Sequence, residues 1–236
     1  MTLTFPFFRK LCFGFRSSEE RIMKNIKNKT AVLIGAVVCL LPCILGLILY
    51  KDLPDKMPVH WNMAGEPDNF APKLFAVFGL PVILAAFHLI CHIGASFEKK
   101  RANYSKALET MTYWLIPALS LILCPMTLLA SKGVDVKIEV IVPCLIGLML
   151  VFVGNFLPKC KQNSTMGIKF VWTLKSEENW NKTHRLAGKL WIVGGIISII
   201  CTFCGVPLLL FAVIAVVVLV PAVYSFALSR KRVTDD

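Results

Sequence analysis

Six apolar runs, each close to the length of a bilayer crossing, constrain this chain more than any other feature of its sequence. They are Thr30 to Tyr50, Leu74 to Phe97, Met111 to Ser131, Ile138 to Leu157, Ala187 to Cys204 and Val206 to Leu228. About 20 mostly apolar residues, rising about 1.5 Å each, cross a hydrocarbon layer about 30 Å thick. Backbone groups in hydrocarbon must be satisfied internally, which leaves helices and closed barrels, and continuous rather than alternating apolar runs select helices. The expected fold class is all-α: a polytopic membrane protein of six transmembrane helices. Composition agrees, with 56% apolar residues, 17% charged and a mean hydropathy of +0.69. A soluble domain carries about 45–50% and about 25%, so an ordinary soluble enzyme is excluded. The fifth and sixth runs meet at Gly205 with Pro207 opening the sixth, which predicts a tight helical hairpin.

Lysine and arginine set the expected orientation, because short cytoplasmic loops carry the excess positive charge. Seven precede the first run, four lie between the second and third, seven lie around the loop after the fourth, and three lie in the tail. Only Lys51, Lys56, Lys73, Lys132 and Lys137 lie on the other side. Both termini are therefore expected inside the cell. The formal net charge of +12 follows from this asymmetry and from attraction to anionic membrane lipids, so direct nucleic-acid binding is not invoked.

These boundaries divide the chain into a basic N-terminal segment (1–29), a three-helix membrane half (30–131) with an outward proline-rich loop (51–73), a second three-helix half (132–228) with an inward loop (158–186), and a cytoplasmic tail (229–236). In each half the long loop follows the first helix, once outside and once inside, the arrangement an inverted repeat gives. The first run is too long for a signal peptide and lacks a small-residue exit, so it reads as an uncleaved anchor. Phe5, Phe7, Phe8, Phe13 and Phe15 among basic residues suit a membrane surface; the alternative is an upstream extension, with Met23 as a second start.

Seven of the nine cysteines, Cys39, Cys43, Cys91, Cys124, Cys144, Cys201 and Cys204, fall in or at the ends of the runs, where cysteine acts as a small apolar residue. Cys201 and Cys204 have redox or metal spacing, but a lone C-x-x-C carries little weight. His88 and His92 share a helix face. Ionisable groups within spans usually face the bundle interior; with no acidic residue in that run, interhelical hydrogen bonding is the expected role and a metal or proton role the rival.

Two polar loops hold most of the remaining information. In the first, Pro54, Pro58, Pro67 and Pro72 fix φ and remove donors and Gly65 permits a turn, so an ordered, slightly acidic loop is expected. His60 with Glu66 and Asp68 can be read as a divalent-cation site or as groups bonding the turns and each other; the second is the expectation. In the loop after the fourth run, Ser176 is a natural N-cap and Glu177 and Glu178 suit a first turn. A helix should start there and run into the fifth span. Trp180, His184, Ala187 and Trp191 then share one face, and Lys182, Arg185 and Lys189 a basic one. Such a helix reads either as a headgroup-level anchor or as a docking surface for a soluble partner.

The stretch Asn163, Gly167-Ile168-Lys169, Trp172-Thr173-Leu174, Trp180, Thr183-His184-Arg185 and Gly188 resembles the signature of the SdpI family, immunity proteins against a sporulation-delaying peptide toxin. Pro58-Val59-His60-Trp61-Asn62 with Gly65-Glu66-Pro67-Asp68 resembles the domain of unknown function that commonly precedes that signature. The resemblance implies a multi-pass cell-membrane protein that protects against a secreted peptide toxin. In the family's best-known member, toxin capture also lets the protein hold a cytoplasmic repressor at the membrane. This chain departs in carrying Lys169-Phe170-Val171 where the family often has an arginine-threonine-proline run.

On this reading Pro58, His60, Trp61, Asn62, Gly65, Glu66 and Asp68 shape an outward ligand site, and Asn163, Gly167, Trp172, Trp180, His184 and Arg185 an inward partner site. No cofactor or bound metal is expected. The rival function is a small-solute or metal transporter or a membrane enzyme using the histidines. No G-x-S-x-G, H-E-x-x-H or P-loop pattern is present, so catalysis is unsupported.

Overall fold

The computed structural model describes residues 28–62, 64–97, 106–206 and 208–235. The aromatic N-terminal segment, Pro207 and the basic residues Lys99, Lys100 and Arg101 lie outside the described residues.

Prolines shape the first two crossings. The first consists of α1 (Lys29–Leu40) and α2 (Pro42–Leu49), capped at its start by Asn28, whose Oδ1 accepts from the Ala31 N–H at 3.0 Å. Pro42 has no N–H for the Val38 carbonyl; the Leu41 N–H takes that acceptor at 3.2 Å, which tightens the turn and steps the helix there. The second crossing opens with a π-helical turn, Phe75–Gly79, ahead of α3 (Leu80–Ser96). Pro81 removes the N–H that would close an ordinary turn, a known cause of such widening.

The remaining helices are α4 (Lys106–Ser131), α5 (Ile138–Phe156), the short α6 (Val171–Lys175), α7 (Glu177–Phe203) and α8 (Leu209–Asp235). Six helices among the described residues are long and apolar enough to cross a membrane: Lys29–Asp52, Phe75–Ser96, Glu109–Ser131, Ile138–Lys159, Glu177–Phe203 and Leu209–Arg230. Their ends fall close to the expected ones except at the fifth. There Ser176 caps the helix, its Oγ accepting from the Asn179 N–H at 3.2 Å, and the 27-residue α7 joins the amphipathic stretch and the span in one rod. After Cys204 the chain turns through Gly205 (φ +76). The Val206 N–H bonds the Cys201 carbonyl and the Gly205 N–H that of Thr202, the crossed pair of a Schellman cap.

Between α2 and α3 the chain forms a two-stranded antiparallel hairpin, β1 (Lys56–Trp61) and β2 (Pro67–Pro72), where sequence reading gave only a shaped loop. Lys56 pairs with Pro72, Met57 with Ala71 and Pro58 with Phe70, and the register is irregular near His60. Met57, fully buried, packs with Leu53, Ala76, Val77 and Leu128, so the hairpin sits on the N-terminal helices.

In that half α1, α3 and α4 pack on one another. His88 and His92 lie at these junctions: His88 Nε2 donates to the Val32 carbonyl at 3.1 Å and His92 Nε2 lies 3.3 Å from the Thr112 carbonyl. Their role is interhelical bonding, as expected. Ser120 Oγ adds a bond to the Cys39 carbonyl at 2.7 Å. The eight described cysteines are all free thiols, Cys201 and Cys204 included.

In the C-terminal half α7 packs along α5 and against α8. Glycines make the α5–α7 approach. A Cβ on Gly147 would lie 2.8 Å from the Gly195 carbonyl oxygen, and one on Gly154 would lie 3.0 Å from that of Gly188. Both pairs are seven residues apart, so each helix presents a small-residue stripe at heptad spacing and the backbones close on each other. Trp191 Nε1 donates to the Val217 carbonyl at 2.9 Å, fixing α7 to α8. Much of the outer surface is apolar: Val37, Leu47, Ile48, Ile90, Phe203 and Val223 are all at least 60% exposed, as lipid-facing side chains are.

Candidate functional sites on two loops

The hairpin owes its shape to its polar side chains. Asn62 Oδ1 accepts from the Ala64 N–H at 2.9 Å and the Glu66 N–H at 3.0 Å, and its Nδ2 donates to Glu66 Oε2 at 3.0 Å. The Asn62 N–H bonds the Glu66 carbonyl and the Gly65 N–H bonds that of Asn62, with Gly65 at φ +78. His60 Nδ1 lies 2.6 Å from Asp68 Oδ1; a carboxylate only accepts, so the ring donates. Asn62, Glu66 and Asp68 therefore hold the turn and the strands. Among the described residues no group of three or more His, Cys, Asp or Glu side chains is placed to hold a metal ion.

Below the hairpin lies a cleft of about 510 Å³ between the two helical halves. The hairpin contributes His60 and Trp61 of β1 and Asn62 of its turn, α3 and α4 contribute Leu80, Leu84, Leu123 and Thr127, α5 contributes Glu139, Val142 and Ile146, and α8 contributes Phe211 and Ile214. The size falls within the range of small-ligand sites, and the apolar wall with a few polar groups at one end is their usual chemistry. Pro58 is buried and outside the lining. Gly65 faces the Glu139 carboxylate so closely that a Cβ there would strike it. The hairpin of one half thus touches the first turn of α5 in the other.

Glu139 escapes the residue-level reading, although an ionisable residue at the edge of a span is the standard pointer to a site. It has no hydrogen bond or ion pair among the described residues. Its neighbour Lys137 is held by Asp135 at 2.7 Å, a contact that raises the lysine pKa chiefly through the hydrogen bond and then through charge. Lys73 and Lys132 are likewise engaged, by Asp55 and Asp52, each at 3.2 Å.

On the opposite side of the bundle the loop 160–176 folds around two buried rings. Trp180 is fully buried, donates from Nε1 to the Cys160 carbonyl at 2.7 Å and stacks on His184 with centroids 4.1 Å apart. His184 Nε2 accepts from the Ile168 N–H at 3.0 Å, so its proton is on Nδ1, which donates to the Trp180 carbonyl at 2.8 Å. Gly167, at φ +108, lies where a Cβ would strike His184 Nε2 and come within 3.0 Å of Trp180. Asn163 Oδ1 accepts from the Thr165 and Met166 N–H groups at 2.9 and 2.7 Å, and its Nδ2 donates to the Lys161 carbonyl at 2.9 Å. Burial pushes the Cys160 thiol pKa up, against a smaller lowering by its bond from Asn163.

The loop is tied to α8 through Ser225. Trp172 Nε1 donates to Ser225 Oγ at 2.9 Å and Asn179 Nδ2 to the Ser225 carbonyl at 2.8 Å, while Thr183 Oγ1 donates to Asn179 Oδ1 at 3.0 Å. The structure therefore gathers Asn163, Trp180 and His184 into one buried cluster with the exposed Gly167 packed over the two rings, leaves Trp172 half-buried at the α8 contact, and exposes Arg185. Asn179 and Ser225 were legible only as polar residues, because the bond between them spans 46 residues; Thr173 entered only as a member of the signature.

Residues 159–225 match the model of the SdpI/YfhL protein family, and residues 37–85 match the Domain of unknown function DUF1648. The chain is 29% identical over 185 residues to a curated protein named Immunity protein SdpI from Bacillus subtilis (strain 168), covering 78% of this chain and 87% of that one. It is 39% identical over 56 residues to the Uncharacterized membrane protein YbgB of the same strain, 24% of this chain and 59% of the relative. No solved structure matches. The hairpin and the packed loop thus fall within the two matched segments, and the chain is a multi-pass membrane protein whose C-terminal half carries a match to the SdpI/YfhL family model, with a DUF1648 match ahead of it.

Proposed function

We propose that this chain is a membrane immunity protein that meets a secreted, membrane-active peptide on the hairpin side of the bilayer. The observation that carries the reading is the similarity to Immunity protein SdpI, which extends over 87% of that protein rather than over one motif. The lysine and arginine distribution supports an orientation with the hairpin outside, the packed loop inside and both termini cytoplasmic. The ligand then arrives on the side where His60, Trp61 and Asn62 border the cleft. In this reading Gly65, Glu66 and Asp68 act by holding the hairpin in shape, and buried Pro58 by seating it.

The inward loop is proposed to present a surface to a cytoplasmic repressor. Asn163, Trp180 and His184 form its interior, the exposed Gly167 packs over the two rings, Trp172 fixes the loop to α8, and the partner meets exposed groups such as Arg185 and Lys189. Signalling between the sides requires two conformations with different affinities for each partner.

The test is survival of a peptide-sensitive host expressing the chain. Protection against a cognate-type peptide, reduced at least tenfold by Trp61→Ala at equal membrane abundance, is the expected result. Killing unchanged from the empty vector for every such peptide removes the immunity reading.

A further inference from the structure

The cleft beneath the hairpin is apolar along its walls and carries one carboxylate at its mouth, and these two properties together specify a ligand. Glu139 is half-buried there, against the hairpin tip. Lys73, Lys132 and Lys137 are each ion-paired with an aspartate; Lys137 also senses the charge of Glu139, but no ion pair joins the two. An unpaired carboxylate beside an apolar cavity favours a cation in the incoming group, because a charge pair is stronger where water is partly excluded.

We infer that the cleft binds an apolar peptide segment that places one basic group, a lysine or arginine side chain or a terminal ammonium, against Glu139. The inference deepens the immunity reading and rests on it. A phospholipid is the poorer occupant: its phosphate would enter beside Glu139, and like charges in close approach are costly. A peptide brings the cation without the phosphate. It also brings backbone donors and acceptors for His60 and Asn62 at the rim, whereas an alkylammonium brings only the charge.

The test uses the full chain in phosphatidylcholine nanodiscs and a fluorescein-labelled leucine–alanine helical peptide with one lysine near its outer end, beside the same peptide with norleucine at that position. The lysine peptide is expected to bind about tenfold tighter than the norleucine peptide, and Glu139→Gln, which keeps size and shape, is expected to bring that ratio close to one. Val142→Trp, which fills the cleft, is expected to weaken both. A ratio unaffected by Glu139→Gln, affinity unaffected by Val142→Trp, or absence of binding by the lysine peptide overturns the inference. So does equal displacement by dodecylamine, which would make the site a lipid-amine site. Host protection retained in Glu139→Gln cells sinks this inference and leaves immunity standing; loss of protection in the parent chain sinks the reading beneath it.

Discussion

At Gly167 one missing Cβ decides whether the loop 160–176 can close. The backbone there is left-handed and the side-chain position is already filled by His184 and Trp180. Gly167→Ala combines backbone strain of about 1–3 kcal/mol with displacement of the ring that accepts from Ile168. The expected outcome is a lower thermal midpoint in detergent and loss of near-ultraviolet dichroism from the tryptophans. Gly94→Ala is the control, since nothing lies within 4 Å of its Cβ position. The sequence marked Gly167, Trp180 and His184 as a group through a family signature and suggested a surface. That Trp180 and His184 form an interior with Gly167 packed over it depends on the bond from Ile168 to His184, 16 residues apart, a pairing no local pattern encodes.

Among the elements, α5 and α7 depend on each other most. Their glycine stripes let the carbonyls of Gly188 and Gly195 approach the backbone of α5, and van der Waals contact is the main attraction between helices in lipid. Gly195→Leu should push the pair apart at a cost of about 1–3 kcal/mol, the range for overpacking. Denaturation by sodium dodecyl sulfate should then begin at a lower detergent fraction, while Gly94→Leu leaves the curve in place. The helix start at Ser176 and the six spans are readable because capping and hydrophobic length are local properties. The seam was present as G-x6-G on two helices but gains meaning only once those helices are known to be neighbours. The hairpin was readable as order, from its prolines and Gly65, and not as two strands, because proline-rich segments lack the alternation that signals β-structure.

For the whole molecule, six crossings put the hairpin and the packed loop on opposite sides of the bilayer. Asn62→Cys is expected to react with a membrane-impermeant maleimide on intact cells and Lys175→Cys only after permeabilisation, each measured against the parent with its native cysteines. Equal reaction of both on intact cells would contradict the proposed orientation.

Length, composition and the lysine–arginine distribution were sufficient for the class of fold, the number of spans and the expected sidedness, because the bilayer imposes its thickness and its charge asymmetry on any chain that crosses it. Polar residues in the two loops pointed to order and, through their resemblance to a family, to function. The cleft, the position of Glu139 at its mouth, and the burial of Asn163, Trp180 and His184 emerged from the folded arrangement. Each depends on side chains brought together from helices far apart in the chain, and the packing that chooses those neighbours is not written in any single segment.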